Sequence, residues 1–243
     1  MIDNVEFKVV DKVLTAYSGQ GGDVVIPDGV VKISYTVFCE CKTLRSVVIP
    51  NGVESIALFA FKDCSALEKV VFPSSLKIVG TGAFVNCGSL TEIVLPDGTS
   101  EIRDMAFRNC GNLRSVVIPD SVKNLQFVFE VGCPRLERII CGSEAAATLG
   151  KIVREKTVHA FWERVRNGTA TNAERRGWFV FLEKYARESF SAMRNNVEFY
   201  KTVLMNCFLP VDLLTEIIEI TDSPECRALL LEYRRALAVL DEQ

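Results

Sequence analysis

Nine cysteines and a single histidine are the side chains in these 243 residues best suited to nucleophilic, redox or metal chemistry. Five of the cysteines, Cys41, Cys64, Cys87, Cys110 and Cys133, recur every 23 residues. Stacked at matched positions they would lie ~4.8 Å apart at Cα, a separation that a disulfide allows. Neighbours on such a ladder point the same way rather than toward each other, so reduced thiols packed in a core are expected. Cys39-x-Cys41 is the only close pair, and it lacks a second metal-spaced pair and a nearby histidine. No metal site is expected there. His159 has Glu155 and Glu163 at i−4 and i+4 as its candidate partners, the spacing of an ordinary helix contact. The chain contains no G-x-S-x-G, P-loop or G-x-G-x-x-G segment, and its carboxylates show no converging pair. Neither an enzyme nor a cofactor is expected.

The same period runs through the elements that carry the cysteines. Leucine stands three residues after each, at Leu44, Leu67, Leu90, Leu113 and Leu136. An apolar residue and proline recur in step as Ile26-Pro27, Ile49-Pro50, Phe72-Pro73, Leu95-Pro96 and Ile118-Pro119. In each unit a short strand such as Val47-Val48-Ile49 alternates its side chains between two faces. The proline, with no N–H to donate, ends the strand and presets a turn, and Asn51-Gly52 or Asp97-Gly98 continues it. Val53 and Ile56, with Leu76/Val79 and Thr99/Ile102, return the chain to the core. Phe61, Phe84 and Phe107, each after an alanine, are expected to stack as an aromatic ladder. One such coil cannot bury its apolar side alone, so the units must stack, and a period of this length lies in the ~20–29 residue range of leucine-rich solenoids.

The pattern L-x-x-[VI]-x-[IF]-P-[DNS]-[GS]-V…A-F-x-x-C-x-x-L resembles the BspA-type leucine-rich repeat. Leu44 to Leu67, Leu67 to Leu90 and Leu90 to Leu113 match it almost completely, and the likeness covers roughly residues 5–142. The resemblance implies a curved solenoid with a parallel sheet on one face, used for recognition of proteins or surface ligands and not for catalysis. It also implies frequent export or surface attachment. The last unit departs from the pattern, with Glu130 where phenylalanine is expected, and is read as the end of the array.

Residues 5–18 alternate as Val5, Phe7, Val9 and then Val13, Thr15, Tyr17, a β-hairpin turned at Asp11-Lys12 and placed to cap the exposed first coil. Past Gly142 the period vanishes. Ser143 is read as the cap of a helix running to about Arg166 and closed by Asn167-Gly168. Thr171-x-x-Glu174 is a capping box for a helix to about Met193. Further helices span about 197–207, 211–220 and 224–240, the last opened by Ser223-Pro224. The expected fold class is α+β: an N-terminal hairpin cap (1–22), a leucine-rich β-solenoid (23–142) and an α-helical domain (143–243).

The strand position facing away from the core carries Val25, Val48, Val71, Val94, Val117 and Ile140, a row roughly 24 Å long at strand spacing. Polar residues of mixed charge flank it: Ser46, Lys69, Glu92, Ser115 and Arg138. Three readings fit such a row: a partner-binding face, sheet propensity alone, or cover by the helical region. Net charge is −3 and evenly spread, which argues against nucleic acid as a partner. There is no stretch of the ~20 apolar residues a membrane span needs. The first residues, Met1-Ile2-Asp3-Asn4-Val5-Glu6, show no secretion signal, so a cytoplasmic chain is expected as it stands, and a surface or secreted one if a signal was trimmed. The expected function is a non-enzymatic module binding a protein or extended ligand through its sheet face; the alternative is an exported, adhesin-like surface protein.

Overall fold

The structure, a computed structural model, describes residues 6–129, 132–149, 151–207 and 209–241. The chain divides into two compact units, one running through Val153 and the other from Arg154.

In the first unit the strands follow in chain order as β1 (Phe7–Val10), β2 (Val13–Tyr17), β3 (Gly22–Val25), β4 (Lys32–Ile33), β5 (Leu44–Val48) and β6 (Ser55–Ile56). Then come β7 (Lys69–Val71), β8 (Ile78–Val79), β9 (Glu92–Val94), β10 (Glu101–Ile102), β11 (Ser115–Val117) and β12 (Arg138–Ile140). β1 and β2 form the expected antiparallel hairpin. Asp11 and Lys12 hold it at φ 49° and 65°, the paired left-handed geometry that matches strand twist. The expected Val5 lies outside the described residues. β2 then continues in parallel through β4, β6, β8 and β10, so the hairpin caps the coil on its second, shorter face. The long strands lie on another face, where a single parallel sheet is expected. Two are found, β3-β5-β7 and β9-β11-β12.

Every coil closes on the same core. Leu44, Leu67, Leu90, Leu113 and Leu136 are buried, as are Val53/Ile56, Leu76/Val79 and Thr99/Ile102. The phenylalanine ladder forms and is longer than its three expected members. Phe38, Phe61, Phe84, Phe107 and Phe129 stack nearly parallel at centroid separations of 4.8, 5.1, 5.6 and 5.7 Å, and Tyr17 of the hairpin meets Phe38 at 4.7 Å. The final rung therefore keeps its ring. Phe129 fills the place assigned to Glu130, which lies outside the described residues. The left-handed bend before the ring comes one residue early, at Phe127 after Met105, while the bend after it, at Gly132 after Asn109, returns to period. A deletion and an insertion on either side of the ring cancel.

Of the five ladder thiols expected in the core, Cys64, Cys87 and Cys110 are buried there, while Cys41 and Cys133 at the two ends are half-buried. Cys64, Cys87, Cys110 and Cys133 donate to the carbonyls of Phe38, Phe61, Phe84 and Phe107 in the preceding coil, at 3.0 to 3.3 Å, and none of the nine cysteines is in a disulfide. The bends Asp63, Asn86 and Asn109, at φ 59° to 62°, use the residue types that tolerate left-handed backbone best. They also bond to one another: Asn86 Nδ2 donates to Asp63 Oδ1 at 2.5 Å and Asn109 Nδ2 to Asn86 Oδ1 at 2.9 Å.

The first expected helix is two. α1 (Ser143–Ala147) is capped by Gly142 and not by Ser143, and α2 spans Lys151–Arg166. Between them Thr148 Oγ1 donates to Ala145 O and accepts from Leu125 N–H, both at 2.7 Å, tying α1 to the last coil. In the second unit α3 (Asn172–Lys184) and α4 (Ala186–Ala192) replace the single expected helix, which breaks at Tyr185 (φ −117°, ψ 35°). α5 (Val197–Asn206), α6 (Val211–Ile220) and α7 (Pro224–Asp241) lie within about a residue of expectation. The Thr171–Glu174 capping box is present, and Gly168 takes the left-handed conformation that closes α2. Aromatic rings fill this unit: Phe161 stacks on Trp178 at 4.8 Å, and Phe190 meets Tyr200 edge-on at 4.7 Å. The buried Tyr200 hydroxyl shares a 3.2 Å hydrogen bond with Thr221, which donates on to Ile217 O at 2.7 Å.

Candidate partner-binding face

Strand alternation sets the face. Val47, Ile93, Val116 and Ile139 turn inward and are buried, so their neighbours point outward. Val25, Val48, Val71 and Val94 are 66, 37, 41 and 54% exposed, while Val117 and Ile140 are half-buried. Parallel register aligns Val25, Val48 and Val71 on one three-stranded sheet, and Val94, Val117 and Ile140 on the other. The flanking row aligns likewise, Ser46 beside Lys69, then Glu92 beside Ser115 beside Arg138. Lys69, Glu92 and Arg138 are exposed, and Ser46 and Ser115 half-buried. Arg45 pairs with Asp23 at 2.9 Å and Arg114 with Glu137 at 3.2 Å, and Ser46 Oγ donates to Asp23 at 2.8 Å. These are solvated ion pairs, which contribute little stability and serve mainly to shape the rim.

The row is not unbroken, as its spacing suggests. β7 and β9 belong to different sheets, so Val71 and Val94 face each other across a break. The inner Val70 and the pre-proline Phe72 are half-buried there, although their counterparts Val47, Ile93, Ile49 and Leu95 are buried. The signal that could have located this break is Phe72 itself. It is aromatic where the other rungs carry Ile26, Ile49, Leu95 and Ile118.

The other candidate residues sit apart from this face. Cys39 is joined not by Cys41 but by Glu40 and Asp63, their ligand atoms within 4.8 Å of one another. Asp63 is already held by Asn86 and by Lys62 at 3.3 Å. The Asn86 amide, its main cause, draws the Asp63 carboxyl below its usual range. His159 is exposed and lines an open groove of about 690 Å³ in the helical unit, with Trp162, Glu163, Arg166, Met193 and Asn196. Of its two expected carboxylate neighbours, Glu163 shares the groove, and the side chain of Glu155 lies outside the described residues. No helix among the described residues is long and apolar enough to cross a membrane.

The coiled part of the chain is similar to known leucine-rich repeat proteins. The chain is similar to a leucine rich cell surface protein from Faecalibacterium prausnitzii, at 33% identity and TM-score 0.51, over 53% of this chain and 35% of that one. It shares its fold with the pneumococcal vaccine antigen PcpA, at 23% identity and TM-score 0.54, over 62% of this chain and 41% of that one. It thus spans less than half the length of either protein. No curated protein matches it. Residues 16–137, half of the chain, match the BspA type leucine rich repeat region in six copies, and the protein belongs to that family.

Proposed function

We propose that this chain is a non-enzymatic interaction module that binds a protein through the valine-lined face of its solenoid. The observation carrying this reading is the exposure of Val25, Val48, Val71 and Val94 in register on one face. Valine favours strands wherever it stands, but a row of apolar side chains open to water and bordered by charge has the make-up of a contact surface. The family supports recognition as its use. α1 closes the array, and the helical unit from Arg154 recruits a second partner. The test replaces Val71 and Val94 together by lysine. The expected result is an unchanged circular-dichroism spectrum and thermal midpoint, with loss of capture of the partner that the unaltered chain retrieves from its native source. Capture at the unaltered level overturns the face as the site.

A second reading places the protein on the cell surface, as a piece of an exported chain. The similarity to a leucine rich cell surface protein favours it. A signal peptide at the start of the native open reading frame is the expected observation, and a frame beginning without one overturns it.

A further inference from the structure

We propose that the break between β7 and β9 is a slot for one extended, uncharged strand of the partner, an inference that rests on the reading of the valine face above. Elsewhere on this face neighbouring coils satisfy each other's backbone. Ile26 N–H donates to Val48 O, Ile49 N–H to Val71 O and Leu95 N–H to Val117 O, each at 3.0 Å. The same bond from Phe72 N–H to Val94 O is missing among the described residues. So is the bond from Thr91 N–H to Glu68 O, although its counterparts, Glu68 N–H to Arg45 O and Arg114 N–H to Thr91 O, are both present at 2.8 Å.

The side chains at the break agree. Lys69 and Glu92 hold matched positions on successive rungs and would make a favourable cross-strand pair if their strands were adjacent. No ion pair joins them among the described residues, though Lys77 and Glu54, one coil apart on another face, pair at 2.8 Å. The opening is confined to the strand face. Across the same two coils Ile78 still aligns with Glu101, and Phe84 N–H donates to Ala106 O at 2.8 Å. The lost pairing is thus confined to the strand face, and the two coils stay joined on the others.

Unpaired N–H and C=O groups along an extended edge complement another extended backbone. Val71 and Val94 on the two lips favour apolar side chains on the occupant. Lys69 and Glu92, of opposite sign, leave no net field to draw in a charged one. Seating a strand takes about two strand spacings, ~9–10 Å, so binding widens an opening that the free chain already has.

The test is backbone hydrogen exchange on the full chain, with a probe heptapeptide of alternating threonine and valine, acetylated and amidated. In the free protein the Phe72 and Thr91 amides are expected to exchange at least tenfold faster than those of Ile49 and Arg114. The peptide should slow both at least tenfold, and the same peptide N-methylated at alternate residues should bind at least tenfold more weakly. Phe72 and Thr91 amides already protected in the free chain overturn the slot. So does a peptide that leaves them unprotected, or one that binds equally well when N-methylated. The failures separate: if the slot fails while Val71→Lys with Val94→Lys still loses the native partner, the valine face stands without it.

Discussion

The ring of Phe72 meets that of Phe84 edge-on at a centroid separation of 5.9 Å, beside the break in backbone pairing between β7 and β9. An aromatic side chain needs more room than the isoleucine or leucine at the same position of other rungs, and coil spacing leaves little to spare. Phe72→Ile is expected to let β7 and β9 pair. The Phe72-position and Thr91 amides should then exchange at least tenfold more slowly than in the unaltered chain. Unchanged rates would remove Phe72 as the cause of the break.

Thr99 is wholly buried, and its hydroxyl oxygen has no hydrogen-bond partner among the described residues. Val30, Val53, Leu76 and Val122 hold the same place in other coils and are buried too. Thr99→Val keeps the shape and removes the orphaned oxygen, so a gain of about 1 kcal/mol is expected from denaturant midpoints. A loss would reveal a partner for the hydroxyl.

Leu90 is fully buried in the middle of the array, whereas Glu68 is exposed. Leu90→Ala should cost ~2–5 kcal/mol as a buried large-to-small change. Glu68→Ala should stay within about 0.5 kcal/mol. Equal costs in urea titration would contradict the register described above.

Burial pushes the thiols of Cys64 and Cys141 up to about 12 and that of Cys87 well above its ordinary value. At pH 8 almost none of these is thiolate. Alkylation followed by mass spectrometry should label the half-buried Cys39 and Cys41 in the native chain, and Cys64, Cys87 and Cys110 only after unfolding. Equal native labelling would place the ladder outside the core.

Burial acts to raise the Glu174 carboxyl, but hydrogen bonds from the Thr171 backbone and hydroxyl, and the Arg164 guanidinium, outweigh it and hold the group below its usual value. A carboxylate lowered in the folded state stabilises fully above its unfolded value of ~4.3, and that contribution is lost as pH falls through the folded value. The stability difference between the unaltered chain and Glu174→Gln should therefore be largest near neutrality and shrink below about pH 4. A difference independent of pH from 7 to 3 would remove the charge from the account.

Much of this fold was readable beforehand because it repeats or because it is local. The leucines, thiols and rings recur at a distance along the chain equal to one coil, so spacing alone placed them in stacks. The Thr171–Glu174 box and the Gly168 closure need only neighbours within a turn. The helix breaks at Thr148 and Tyr185 escaped, since both sequences suit a helix. At Thr148 the side chain is engaged by Leu125 of the preceding coil, a contact that spacing along the helix does not announce.

By itself, then, the sequence determined the coil, its period and the outward row of Val25, Val48, Val71, Val94, Val117 and Ile140, because alternation along a strand and stacking between equal units are properties of the chain. Only the tertiary structure decided that the row lies on two sheets, that Phe129 completes the ring stack and that the hairpin caps the shorter face. Each of those depends on whether one coil's side chains fit the space left by the next, and volume matching between coils is not written in spacing.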